Sequence, residues 1–478
     1  MLNDLVLHGI VGGKSKDKIP PPPISNFQAK ADDKKVLLSW VNPIDTDFVG
    51  VRILRKTEGY PSSPTDGVLV YSGGGTTYED TGLTNDVTYY YRAFSFDWDK
   101  NFNDDISQQV SATPTKQKIY GVAIDLTNSN PKTAVTYTDD AVGMTGGAAA
   151  WDSMNIFKDI KPCVLKNGVV QYYLNPNDFT KKADGSAADI TSGNDGDVMI
   201  EIPKTGFLIS TVGNILTVKV TDDPNNPNFK YYAHTRKTEG DRSKLYIGAY
   251  LGWKDGSNKL RSLSGKTPTA SQTIGTFRTQ AKANGSGYDL VSFYPLTLLQ
   301  CLYLIKYKNL DSQTALGRGY VDGNSAATNT GGTNQKGMFF GETTGKQQMK
   351  FLGIEDFWGN LRWWIDGLFS DSNRNIKTAF QNFNDTGSGY TDRGQGATSD
   401  IGNYMSKPQG TSQTGFIAKE ISGSASTYFC DCATLFASHL PSFGGHWDVG
   451  SDAGAFCLFV NFSASDSHSV LGGRLMYL

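Results

Sequence analysis

Apolar side chains in this chain recur at every second position, in short runs that stop at Gly, Pro, Asn or Asp. "VLLSWVNP" puts Leu37 on one face and Leu38 and Trp40 on the other, then ends at Asn42-Pro43. "GVRILRKTEG" sets Val51 and Ile53 against Arg52 and Leu54, and "VTYYYRAFSFD" puts Tyr89, Tyr91 and Ala93 on one face. That period belongs to strands with one buried side. With 53 glycines, 25 Phe and 23 Tyr among 478 residues, many short strands joined by turns are expected.

The length implies about two to four domains. Apolar residues at 38% against 19% charged allow a sizeable core. A net charge of −2 with no basic block gives no footing for nucleic acid. No run of about 18 apolar residues occurs, so no membrane insertion is expected. The start "MLNDLVLHGIVGG" lacks a cationic region and reads as no signal peptide. Five cysteines (Cys163, Cys301, Cys430, Cys432, Cys457) make no disulfide framework in so long a chain, which fits synthesis in a reducing cytoplasm.

The pattern divides the chain into three. Residues 1–23 are an N-terminal arm ending in the stiff Pro20–Pro23 run. Residues 24–114 hold about seven alternating strands, which suggests a β-sandwich. Residues 115–478 read as an α+β unit. In it "DVMIEIPKTGFLI" and "KLYIGAYLGW" are strand-like, while "SQTIGTFRTQAKANG" and "FYPLTLLQCLYLIKYKN" carry helical spacing. The Gly, Ser and Thr-rich segment 385–424 is expected to be loops.

Chemistry-bearing motifs are sparse. "DWDKNFNDD" has Phe102 and Gln108 where a calcium loop needs Gly and an acid. Cys430, Cys432, His439, His446 and Cys457 lack paired zinc spacing, and no metal or cofactor is expected. The adjacent Glu355 and Asp356 would point to opposite faces of a strand, which is wrong for an acid/base pair. Phe357, Trp358, Trp363 and Trp364 suit a core better than a sugar-stacking platform. His234 and Asp241 lack a third partner, and no nucleophile elbow or phosphate loop occurs. The chain is therefore expected not to be an enzyme.

Two resemblances add to this. Trp40, "TGLTNDVTYYYRAFSFD" and "VSATPT" resemble a fibronectin type III domain, with Trp40 in the core and Tyr89 at the tyrosine corner. The larger unit resembles a C-type-lectin-like domain of the formylglycine-generating-enzyme branch. The residues that carry this are "FRTQAKANGSGY", "LLQCLYLIKYKNLDSQ", "GIEDFWGN" and "GGHWDVGSDAGAFCLFVNFSASDSHSVLGGRL". The last of these is similar to the variable region of proteins diversified by retroelements, the tropism determinants of phage tails among them. The matching frame is Gly444, Gly445, Trp447, Ala453, Gly454, Phe456, Gly472 and Arg474, with Gly473 where that family often has Phe.

The expected fold is thus multidomain: an all-β fibronectin type III sandwich, then an α+β C-type-lectin-like domain with elaborated β and loop insertions. Its variable-type region would be 439–478. In "AFCLFVNF" alternation buries Phe456, Leu458 and Val460 and turns Cys457, Phe459 and Asn461 outward. Around them Phe443, His446, Asp448, Val449, Asp452, Phe462 and His468 complete the candidate ligand-binding set.

The resemblance implies a phage tail receptor-binding protein located in the virion tail. It would meet a bacterial cell-surface receptor, protein or glycan, dock to other tail or baseplate proteins through the arm, and form a homotrimer. A bacterial variable ligand-binding protein of the same fold and a glycan-processing tail enzyme are the alternatives.

Overall fold

A computed structural model describes residues 17–236, 240–323 and 325–478. The chain is mostly β-sheet with few helices and separates into two units, Met1–Gln117 and Lys118–Leu478. Most of the expected N-terminal arm, residues 1–16, lies outside the described residues.

The first unit is a seven-strand sandwich. Its strands are β1 (Ser25–Asp32), β2 (Lys35–Val41), β3 (Gly50–Lys56), β4 (Val68–Gly73), β5 (Thr77–Thr81), β6 (Tyr89–Phe96) and β7 (Gln109–Ala112). One sheet is ordered β1-β2-β5 and the other β4-β3-β6-β7. The alternating residues behave as their period dictates. Leu38, Trp40, Val51, Ile53, Tyr89, Tyr91 and Ala93 close the core, while Leu37 faces out. The Tyr89 hydroxyl accepts the Thr84 amide at 3.0 Å, which fixes the corner before β6.

The second unit is built around three sheets. A seven-stranded one runs in the order Asp178–Lys182, Val169–Asn175, Lys161–Lys166, Asp197–Pro203, Lys244–Gly248, Leu475–Tyr477, Tyr288–Leu290. A four-stranded one runs Gly206–Val212, Ile215–Thr221, Ile119–Asp125, Val135–Asp139. Helices α1 (Ile274–Lys282) and α2 (Phe293–Tyr307) lie where helical spacing predicts them. Thr273 caps α1 by accepting the Thr276 amide at 3.2 Å. Every residue of α2 is buried, so it is a core helix apolar nearly all round. Among the described residues no helix is long and apolar enough to cross a membrane.

The third sheet carries the region of interest. Its strands are β8 (Arg362–Trp364), β9 (Ile401–Tyr404), β10 (Cys432–Leu435), β11 (Leu440–Phe443), β12 (Leu458–Phe462) and β13 (Leu471–Gly472), in the order β9-β10-β12-β11-β8-β13. Strand β9 lies inside the segment expected to be loops. Short strands also form there at Thr391–Gln395, Lys407–Pro408 and Ala418–Glu420. Their sequences are too polar to show alternation; β9 and Thr391–Gln395 pair with strands outside the segment, and Lys407–Pro408 pairs with Ala418–Glu420 within it.

Both faces of β8 are buried. Trp363 enters the main core and Trp364 a second one, beside Leu440, Leu471, Ile274 and Phe277. The sheet is locked to the rest of the unit by Arg474. Its guanidinium donates to the carbonyls of Gly248 (2.8 Å), Glu355 (2.6 Å) and Asp356 (3.1 Å) and stacks on Trp363 at 4.1 Å. Replacing Arg474 with Ala should cost about 3–5 kcal/mol, because three buried carbonyls lose their donor. Replacing Lys219, whose ion pair with Asp139 lies near the surface, should cost no more than about 1 kcal/mol. Urea unfolding followed by tryptophan fluorescence checks both, since six of the eight tryptophans lie in this unit.

Candidate binding face

Strand register assigns the two faces of the third sheet. Leu435, Leu458, Val460, Phe443 and Trp363 belong to the main core. On the opposite face Thr434, Phe459, Ser442 and Trp364 form one cross-strand row. One end of that face is covered by the second core, where Phe462 meets Trp364 with ring centroids 5.6 Å apart. Towards the other end lie Arg362, His446, Phe459 and Cys457.

The chain reaches this face through turns that admit little besides glycine. Gly445 sits at φ +80°, where a Cβ would fall 2.5 Å from that of Ala453. A Cβ on Gly454 would fall 2.1 Å from Asp431 Oδ1. Asp431 is buried and accepts the Phe456 amide at 2.7 Å. Burial pushes its carboxyl well above the usual range, so the surrounding donors are needed to hold it. Trp447, Ala453 and Phe456 are buried beside these turns.

Between the frame residues project unlike side chains. His446 Nε2 lies 2.9 Å from Asp448 Oδ1, and its Nδ1 accepts from Arg362 Nε at 3.2 Å. Burial first, and then the Arg362 charge, hold its pKa down at about 4, against a weaker upward pull from Asp448. The imidazole is therefore neutral at pH 7, and its contact with Asp448 is a hydrogen bond donated by Nε2–H. The Arg362 guanidinium lies over the Phe459 ring at 4.0 Å. Tyr404 ties β9 to the same turns through Asp452 Oδ1 and Ser451 Oγ, both at 2.8 Å.

Of the ten expected contact residues, Asp448 and His468 are exposed, and His446, Val449, Asp452, Phe459, Asn461 and Phe462 are half-buried. Arg362 links His446 and Asp448 to Phe459 at one end of β12. Phe462 and His468 meet at the other end at 6.1 Å, with Asn461 beside Phe462 on the strand.

Two expectations are corrected. Phe443 is wholly buried between Phe357 and Trp363, because it lies on the inner face of β11. Cys457 does lie towards the outer face, but it too is wholly buried, with Arg362 Nη1 3.6 Å from its sulfur. Burial pushes its thiol up to about 12 and raises those of Cys430 and Cys432 as well, so none is poised to react.

Other candidates are accounted for structurally. Cys430 sits at φ +55° before β10 begins, so it does not alternate with Cys432 along a strand. Glu355 is buried and accepts from the Gly331 and Thr333 amides, the Thr333 hydroxyl and Gln348. Asp356 accepts from Gln348 and Asn360. Phe357, Trp358, Trp363 and Trp364 are all in cores. His234 is buried, and its Nε2 accepts the Thr205 amide.

A cleft of about 500 Å³ elsewhere in the unit is lined by Asn167, Arg236, Ser286 and Tyr477. Arg236 is already committed there to Asp289, Leu478 and Gly287. In the first unit the carboxylates of Asp17, Asp47 and Asp97 come within 4.8 Å of one another, and Asn101 bonds Asp97 through both its backbone and its side chain.

The sequence pattern alone missed Arg362, Thr434, Ser442 and Tyr404 as members of this face. For Arg362 a signal existed: it is the one cation inside the aromatic run "GIEDFWGNLRWWIDGL".

No family model matches the chain, and no curated protein matches it. Among solved structures, the U1 variant of the Major Tropism Determinant aligns over 82% of this chain and 80% of its own, at 12% identity and a TM-score of 0.26. A fibronectin type III domain from a human protein aligns over 20% of this chain and 72% of its own, at 17% identity and 0.14. The spore cortex lytic enzyme SleM of Clostridium perfringens aligns over 20% of this chain at 13% identity and 0.16, and the match spans only 29% of that enzyme. TM-scores this low carry no functional argument.

The state of His446 gives a pH test. Its folded pKa lies below the unfolded 6.5, so the unfolded chain binds the proton first. Stability from this group is complete above about pH 6.5 and is lost as pH falls towards about 4. Between about pH 7.5 and about pH 4.5 wild type should lose about 2–3 kcal/mol more than His446→Gln, measured by urea unfolding.

Proposed function

We propose that this chain is a receptor-binding protein of a phage tail, with the outer face of the third sheet as its contact surface. The observation that carries the reading is the segregation of side chains near the C-terminus. Gly445, Trp447, Gly454, Phe456 and Arg474 are buried and fix the backbone, while His446, Asp448, Val449, Asp452, Phe459, Asn461, Phe462 and His468 reach solvent between them. A surface of that kind changes its partners without changing its fold. The sequence resemblance to retroelement-diversified variable regions points the same way.

The reading is of a binding protein. The carboxylates that a glycan-cleaving mechanism would use, Glu355 and Asp356, are sealed in the core and bonded to their neighbours. In the tail the sandwich acts as a spacer, the N-terminal arm docks to other tail proteins, and three copies present three faces to a bacterial cell-surface receptor. Several weak contacts then act together at high effective concentration.

The triple variant His446→Ala, Phe459→Ala, Phe462→Ala should attach to receptor-bearing cells at least about tenfold less well than wild type. Its melting temperature should fall by only a few degrees, about what half-buried truncations cost. Equal attachment of the two proteins overturns the reading.

A further inference from the structure

Arg362 is only 4% exposed, yet among the described residues no carboxylate pairs with it. Its neighbours are an imidazole that is neutral at pH 7, a protonated thiol and an aromatic ring. Other largely buried arginines of the same unit are held by oxygen acceptors: Arg261 by Asp197, Arg278 by Asp366, and Arg474 by three backbone carbonyls. A buried cation without a counter-charge is costly and calls for an explanation. Arg362 Nη2 makes no hydrogen bond among the described residues.

A second, independent observation lies beside it. Thr434 Oγ1 and Ser442 Oγ are buried and make no hydrogen bond, in residues only 7% and 0% exposed. Register puts Thr434 on one side of Phe459 and Ser442 on the other. Asn461 Oδ1, at the register shift of β12 two residues beyond Phe459, is buried and unbonded too. Native proteins leave few such groups, and here three gather around one side chain. Of the groups left over, the guanidinium edge and the two hydroxyls can donate, and the guanidinium alone carries charge. Donors of this kind select a ligand rich in acceptors, and the charge selects an anion. The planar fork of arginine suits carboxylate and phosphate.

We propose that this patch is an anion subsite that takes the carboxylate of an acidic sugar or the phosphate of a phosphorylated surface polymer. Arg362 anchors the anion, and Phe459 turns aside so that Thr434 and Ser442 donate to it. The subsite rests on the reading of this face as the receptor-contacting surface and names the chemistry that the surface takes. It also gives Phe459 a role as a movable cover, held over the hydroxyls by the guanidinium until the anion takes its place.

The test uses the full chain with sodium galacturonate, glycerol 1-phosphate and neutral galactose, by isothermal titration calorimetry. At least one anion should saturate with a dissociation constant in about the millimolar range, and galactose should not. The anion that saturates identifies the source: an acidic sugar for galacturonate, a phosphorylated polymer for glycerol phosphate.

Arg362→Gln should weaken that binding at least about tenfold. Ser442→Ala and Thr434→Val should each weaken it about threefold or more while leaving the melting temperature unchanged or higher, because each removes an unmade hydrogen bond. Should Arg362→Gln fail to fold, the two hydroxyl variants carry the test. Saturation by neither anion, equal binding of galactose, or hydroxyl variants that bind as wild type does overturns the subsite.

Cell attachment measured in parallel separates the two claims. If the triple alanine variant loses attachment but no anion binds, the subsite fails and the contact face stands. If that variant attaches normally, the contact face itself fails.

Discussion

Arg474 holds the larger unit together. One side chain, wholly buried, bonds backbone carbonyls that lie 226, 119 and 118 residues away along the chain. It joins the end of a strand of the seven-stranded sheet to the tight turn at Glu355-Asp356, and through Trp363 to the third sheet. The turn is in turn filled by its own polar network. Glu355 takes four hydrogen bonds and Asp356 two, although burial drives the Asp356 carboxyl far above its usual range. Such a cluster is stable only when nearly every member is satisfied, so it fixes one arrangement of the three segments.

The consequence for the third sheet is a division of labour between neighbours in sequence. Alternate residues of β8 go to different cores, which pins the strand from both sides. Strand β12 is pinned from one side by Leu458 and Val460, and its other side carries Phe459 and Asn461 at intermediate exposure. The turns between β11 and β12 are fixed by glycine and by the buried Asp431, not by the residues that project from them. Stability thus comes largely from the frame, and the outer face keeps several side chains only partly covered. The unmatched charge of Arg362 and the unbonded hydroxyls of Thr434 and Ser442 are exceptions to local satisfaction, and all three lie on that face.

Much of this was legible because it is periodic. Leu38, Trp40, Tyr89 and Tyr91 follow the period of two, and α1 and α2 follow the helical repeat with a Thr cap at Thr273. Arg474, Gly454 and Phe456 were marked as frame residues by the resemblance to retroelement-diversified variable regions. What alternation does not report is whether the second face of a strand is covered. Cys457 points the way its period says, but Arg362 reaches across from β8 to its sulfur and helps to bury it. Phe443 precedes two glycines and looks like turn material, yet it pairs with Trp363 in the ladder. Arg362, Thr434 and Ser442 become one patch only through pairing between strands far apart in sequence. Strand β9 was hidden for the same reason, since its register against β10 and not its composition makes it a strand.

The central claim is that the C-terminal backbone is held by its frame and is indifferent to the side chains it displays. Two libraries of the full chain test it most directly, scored for resistance to a protease that cleaves unfolded protein. One randomises His446, Asp448, Val449, Asn461 and His468; the other randomises Gly445, Trp447, Gly454, Phe456 and Arg474. The account predicts that most members of the first library survive and few of the second do. Similar survival of the two libraries would contradict it.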